Sequence, residues 1–136
     1  MLNKKALGAT AAGEAIYVED VFSTYLYTGN GSSQTITNNI DLSGEGGLVW
    51  GKDRDATNGH YLTDTVRGTN SQIRTQSDGA ATTATTAITA FNNNGFSVGS
   101  SAYYNQSPTT YASWTFRKAE KFFDVVTYTG DGSFDR

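Results

Sequence analysis

Past Asp20, apolar side chains recur at every second residue and nowhere sustain a period of 3.6. Residues 21–28 set Phe22, Thr24 and Leu26 on one side of an extended chain and Ser23, Tyr25 and Tyr27 on the other. Residues 111–117 repeat the pattern, with Ala112, Trp114 and Phe116 opposed to Tyr111, Ser113, Thr115 and Arg117. Side chains spaced in this way can share a face only on a pleated strand. Between such runs lie Asn30-Gly31, Asn58-Gly59, Asp78-Gly79, Asn94-Gly95 and Asp131-Gly132, dipeptides that supply the positive φ of short turns. The expected body is all-β.

Composition agrees with this. Only 17% of residues are charged, against an ordinary share of about 25%. The polar mass lies in Thr, Ser, Asn and Gly, and eight Tyr and seven Phe supply much of the apolar bulk. A chain of 136 residues suits one domain with its own core. There is no cysteine, so disulfides and thiolate metal sites are excluded. A net charge of −3 speaks against a nucleic-acid partner, and no apolar stretch has the length of a membrane span.

Along the chain, residues 1–20 are expected to form an N-terminal arm or docking peptide. Its contact residues would be Leu2, Lys4, Lys5, Leu7, Ile16 and Tyr17, with a plain terminal tail as the alternative. Residues 22–28 and 33–37, the latter with Ile36 inward, are expected to pair as a first hairpin across Gly29-Asn30-Gly31. Leu48-Val49-Trp50 is continuously apolar, as a strand covered on both faces would be. Residues 71–75 suit another strand. Residues 78–90 are nearly all Ala and Thr with Ile88 as the one sizeable anchor, which suits a loop or an edge strand. Residues 91–98 form a turn with the strand leaving it, and residues 100–109 a loop.

The end of the chain repeats its beginning. Residues 123–133 match residues 22–32 at an offset of 101, with Phe, Tyr, Thr, both Gly and Ser identical and Asp131 in place of Asn30. An offset near one hundred is too long for a solenoid period and suits tandem domains. The expected organisation is an arm at 1–20, a repeat unit at 21–119, and the first strand and turn of a second unit at 120–136, the whole opening a longer chain.

The Tyr-Thr-Gly-Asn-Gly-Ser motif at 27–32 is followed by Gly47-Leu48-Val49-Trp50-Gly51-Lys52-Asp53-Arg54-Asp55 and by His60, Asp64 and Arg67-Gly68. Then come Phe91-Asn92-Asn93-Asn94-Gly95-Phe96-Ser97-Val98-Gly99 and Tyr111-Ala112-Ser113-Trp114-Thr115-Phe116-Arg117-Lys118-Ala119. This order resembles a repeat unit of bacteriophage tail-fibre and other virion structural proteins, especially of phages of marine bacteria and cyanobacteria. Gly51 departs from it, standing where a bulkier apolar residue is expected. The resemblance implies an antiparallel β-sandwich of jelly-roll or lectin-like kind with an extended N-terminal arm. It implies a virion location in a tail or surface appendage, other virion proteins (tail or adaptor proteins) as partners, and a homotrimer. No catalytic signature comes with it.

Candidate chemistry is sparse. Lys52, Asp53, Arg54, Asp55, His60, Asp64 and Arg67 hold most of the charge of the middle segment. The first reading is structural, an ion-pair network of Arg54, Asp64 and Arg67. A hard cation on Asp53, Asp55, His60 and Asp64 is the second, although the spacing lacks the closing Glu of a calcium loop. His60 has no nucleophile in a recognisable elbow, so neither a catalytic residue nor a cofactor nor a metal is expected. Trp50 and Trp114 lie in apolar strand patterns and are read as core. Tyr103, Tyr104, Asn105 and Gln106 combine aromatic rings with amides in a polar loop, the mixture that a glycan-binding surface uses. A host-glycan binding module and a capsid decoration protein are thus the alternatives to a fibre module.

Overall fold

The computed structural model describes residues 6–9 and 15–133. In chain order these form β1 (Ala6–Ala9), β2 (Ala15–Tyr17), the single-turn α1 (Val18–Val21), β3 (Phe22–Thr28), β4 (Gln34–Thr37), β5 (Gly47–Asp53) and β6 (His60–Asp64). There follow β7 (Ser71–Arg74), β8 (Thr82–Thr83), β9 (Ile88–Asn92), β10 (Gly95–Val98), the short α2 (Ala102–Asn105) and β11 (Thr110–Arg117). A six-stranded sheet in the order β3-β11-β5-β6-β7-β8 faces a three-stranded sheet in the order β4-β10-β9, and every pairing is antiparallel. The fold is an all-β sandwich. β1 and β2 pair separately ahead of it.

The parity of the strands decides what is buried. From the large sheet, Val49, Tyr61 and Tyr111 point into the space between the layers. From the small sheet and its approaches come Ile36, Ile88, Phe96 and Val98, and Ile40 and Leu42 fill from the connecting loop. Each such side chain removed from water contributes about 1.5–3 kcal/mol. Tyr27 stacks on Tyr111 at 5.3 Å and meets Phe96 edge-on at 6.5 Å, tying the two sheets together. Burial pushes the Tyr27 phenol far above its ordinary range, and the neighbouring Tyr104 and Tyr111 add to the shift, so the ring packs as a neutral group.

Two expectations are corrected here. Residues 22–28 and 33–37 are not a hairpin: β3 pairs with β11 in the large sheet and β4 with β10 in the small one. The Gly29-Asn30-Gly31 turn carries the chain from one layer to the other. The tryptophans also lie on the opposite face from the core. Trp114 stands directly across from Trp50 on the outer side of the large sheet, whereas Ser113 and Thr115 are fully buried. The inner face of β11 takes these small hydroxyl residues because Asn38 reaches it from the loop, donating from Nδ2 to Thr115 Oγ1 at 2.8 Å. A buried amide needs such an acceptor.

The two ends of the chain flank the sandwich in different ways. Ile16, within the anticipated arm, is only 8% exposed, and Val21, at the start of the expected repeat unit, is fully buried, with α1 packing against β11 and β3. At the other end, residues 119–123 reverse direction through a turn with Lys121 at φ 62°. Phe123 makes an isolated bridge to Ala119, and its ring stacks on Phe116 at 5.1 Å. The stretch beyond it, a copy of β3 in sequence, runs outside the sheets in the described residues.

Candidate functional site

α2 and its flanks place the four residues expected to form a glycan surface. Ser101 Oγ accepts from the Tyr103 backbone N–H at 3.3 Å, which sets the start of this single turn. Tyr103 then points outward, 44% exposed, and its ring stacks on Tyr61 at 4.3 Å. Tyr104 points inward and is fully buried, with its hydroxyl donating to Tyr61 O at 2.9 Å. Desolvation holds this phenol well above its usual range, only partly offset by the Thr63 hydroxyl. Gln106 is exposed, and its backbone N–H donates to Tyr111 Oη at 2.9 Å. Only Tyr103 and Gln106 therefore face outward, and Tyr104 and Asn105 are corrected to interior roles.

Asn105 is a receptor for a turn. Its Oδ1 accepts from Asn30 N at 3.0 Å and from Gln34 Nε2 at 2.5 Å. Its Nδ2 donates to Asn30 Oδ1 at 3.1 Å, to Gly99 O at 2.7 Å and to Ser32 O. Its own carbonyl accepts from Gly31 N at 2.8 Å. The turn fits because Gly29 lacks a side chain: a Cβ there would lie 2.2 Å from Gln106 O. Gly31 has φ +73°, a conformation that glycine adopts without strain.

On the outer side of the large sheet, Trp50, Trp114 and His60 form an aromatic cluster, half-buried throughout. The indoles are 5.5 Å apart, and the imidazole lies 5.6 Å from Trp50 and 6.4 Å from Trp114. Trp50 Nε1–H donates to His60 Nδ1 at 2.9 Å, which places the proton of the neutral imidazole on Nε2. Cross-strand register extends the row from Trp50 to Leu62 and on to Ile73. The signal for this surface was present in the sequence as parity. Val49 inward forces Trp50 outward, and Tyr111 inward forces Trp114 outward.

The charged residues are dispersed along the β5–β6 hairpin. Asp64 is fully buried at one end, where Oδ1 accepts from the backbone of Val66 at 3.0 Å and of Arg67 at 2.9 Å, and Oδ2 binds the Arg67 guanidinium in a fork. Arg54 lies at the other end, six positions along the chain from Leu48, the residue opposite Asp64, so it is corrected out of the Asp64 pairing. Asp53 caps the hairpin loop by accepting from Asp55 N, Ala56 N and Asn58 Nδ2. Asp55 accepts from Thr110 N and Oγ1, bonds that hold its carboxyl below the usual range. The four residues considered for a cation, Asp53, Asp55, His60 and Asp64, thus have separate partners. Arg67→Ala is expected to cost about 3 kcal/mol by leaving a buried carboxylate without its cation, whereas Arg54→Ala should cost at most about 0.5 kcal/mol. Urea midpoints of the two variants check this.

Leu7 and Tyr17, of the residues assigned to docking, are in part accessible, Ile16 is buried, and Leu2, Lys4 and Lys5 lie outside the described residues.

Comparison with known proteins gave one family. Its model, described as a domain of unknown function (DUF7483), matches residues 18–122. No curated protein and no solved structure matches the chain. The matched segment opens at α1 and closes as the second copy of the β3 sequence begins, so it takes in the whole sandwich: the chain belongs to the DUF7483 family.

Proposed function

We propose that this chain is a non-enzymatic structural module of a bacteriophage particle, the virion-proximal part of a tail fibre or similar appendage that carries serial sandwich units. The observation that carries this reading is the restart of the unit at Phe123. The motif returns in sequence and also in local shape, since Ser133 N donates to Asp131 Oδ1 at 2.8 Å as Ser32 N donates to Asn30 Oδ1 at 2.8 Å. Serial units suit an extended appendage, and the order of motifs resembles that of virion proteins. The side chains best suited to catalysis are held in the scaffold: His60 by Trp50, Asp53 by its loop, Asp64 by Arg67.

Docking on the virion through the segment ahead of the sandwich gives the test. Deleting residues 1–14 keeps Ile16 and should leave thermal unfolding of the sandwich unchanged while abolishing incorporation into particles. Normal incorporation of the shortened chain would defeat the docking role.

The aromatic cluster favours a second reading, recognition of host surface glycans. Indole faces stack on the apolar faces of sugar rings, and Trp50 and Trp114 offer two such faces side by side on an outer surface. On this reading a glycan array gives signals that Trp114→Ala abolishes and that Tyr103→Ala leaves in place, since Tyr103 stacks on Tyr61 on the other side of the large sheet. An array without signal for the parent chain leaves the structural reading alone.

A further inference from the structure

The β11 edge and Asn105 form a binding site for a peptide, and the chain carries two sequences that match it. The first is residues 22–32, which occupy it. The site takes an aromatic residue against Phe116, a tyrosine that reaches Tyr104 O, a glycine where no Cβ fits, and a turn whose Oδ1 meets Asn105 Nδ2. We propose that residues 123–133 are a second ligand for this site, able to take the place of residues 22–32 along β11 and at Asn105. The inference stands on the repeat and on the geometry of the site, and holds whether or not the chain serves in a particle.

Four observations support the match. Phe123 already stacks on the Phe116 ring at 5.1 Å, on which Phe22 also packs at 4.9 Å. Gly132 has φ +79° where Gly31 has +73°, and the Ser-to-Asx hydrogen bond is the same in both turns, so the second turn is preformed. Asn30 acts in its turn through Oδ1, which accepts from Ser32 N, from Ser32 Oγ and from Asn105 Nδ2. A carboxylate oxygen of Asp131 accepts equally well. Finally, Gly130 has open space where a Cβ would be, so its present position does not require glycine. The position of Gly29 against Gln106 O does.

Covalent connection permits the exchange within one chain. In the register of β3, Phe123 would stand opposite Phe116, joined by residues 117–122, a length that a hairpin connection spans. Val125 and Val126 in place of Thr24 and Tyr25 keep the β preference. The first ligand holds the site because of one difference. Ser23 stands on the inner face opposite the buried Thr115, and Asp124 would bring a carboxylate there. Outside the site Asp124 instead pairs with Lys118 at 3.1 Å. The same site on a second copy would accept the segment by the same contacts, as in strand addition.

Disabling the first ligand in the full chain tests the proposal. Gly29→Val drives a side chain into Gln106 O and should transfer the site to residues 123–133. The variant is then expected to keep a cooperative unfolding transition, with amide exchange at residues 124–130 slowed about tenfold or more relative to the parent chain. Gly130→Val alone should be silent, and Gly29→Val with Gly130→Val should lose the cooperative transition. Light scattering distinguishes the source: a monomer uses its own segment, a dimer its neighbour's. A Gly29→Val chain that does not fold, or one whose exchange at 124–130 is unchanged, or a double variant no worse than the single, would overturn the proposal.

Discussion

Gly51→Ala is expected to lower stability by about 3 kcal/mol, a large loss for one methyl group. Gly51 lies on the inner face of the central strand β5, and the ring of Tyr104 rests against its backbone. A Cβ there would stand 2.3 Å from Tyr104 Cε1 and 2.8 Å from Cδ1. The ring cannot yield, because it is fully buried and its hydroxyl is fixed on Tyr61 O at 2.9 Å. Either the ring leaves its place, with loss of α2 from the sheet, or β5 bends away from α2. Tyr104→Ala removes the obstacle at a cost of about 4 kcal/mol, and in that background Gly51→Ala should cost less than about 1 kcal/mol. A double-mutant cycle in urea, followed by tryptophan emission, measures the difference. Equal cost of Gly51→Ala in both backgrounds would show that the ring is not the cause.

The same contact explains the departure at Gly51 from the motif it resembles. A bulkier residue was expected there from the motif that the chain resembles, and nothing local in the sequence says that a tyrosine 53 positions later fills the space. Long-range packing of this kind is invisible to patterns of period two. Those patterns were enough for β3, β4, β5, β7, β10 and β11 and for Ile36 in the core, but they did not show β6, or β9 as the strand that enters the turn at Asn93 and Asn94. They separated the two faces of β11 correctly, yet apolarity suggested the wrong face as core. The tryptophans look outward because the inner face had to receive Asn38, a demand set by another loop. The four residues at 103–106 divide between surface and interior for a related reason. Tyr103 and Tyr104 are adjacent in sequence, and a single helical turn sends one outward and the other inward, a division that composition cannot express. The β3–β4 hairpin failed because Asn105 captures the turn between the strands and directs them into different sheets.

That capture makes Asn105 the second position of large effect. Asn105→Ala is expected to cost about 3–4 kcal/mol, because it leaves Asn30 N, Gly99 O and Ser32 O without the partner that satisfies them. Asn105→Asp separates hydrogen bonding from shape. The new oxygen at the Nδ2 position would face three acceptors, Asn30 Oδ1, Ser32 O and Gly99 O, in a fully buried site. Both desolvation and these oxygens raise the folded-state pKa of the aspartate above its unfolded value. Stability of this variant is therefore greatest below the unfolded pKa, where the carboxyl is protonated and can donate one hydrogen bond. It falls as pH rises through the folded pKa, the opposite of an ordinary salt-bridged carboxylate. At neutral pH the aspartate variant should be less stable than the alanine variant, and on acidification the order should reverse. Urea unfolding of both variants across the carboxylate range checks the crossing. Parallel pH profiles would mean that the amide is not the element that holds the turn between the layers.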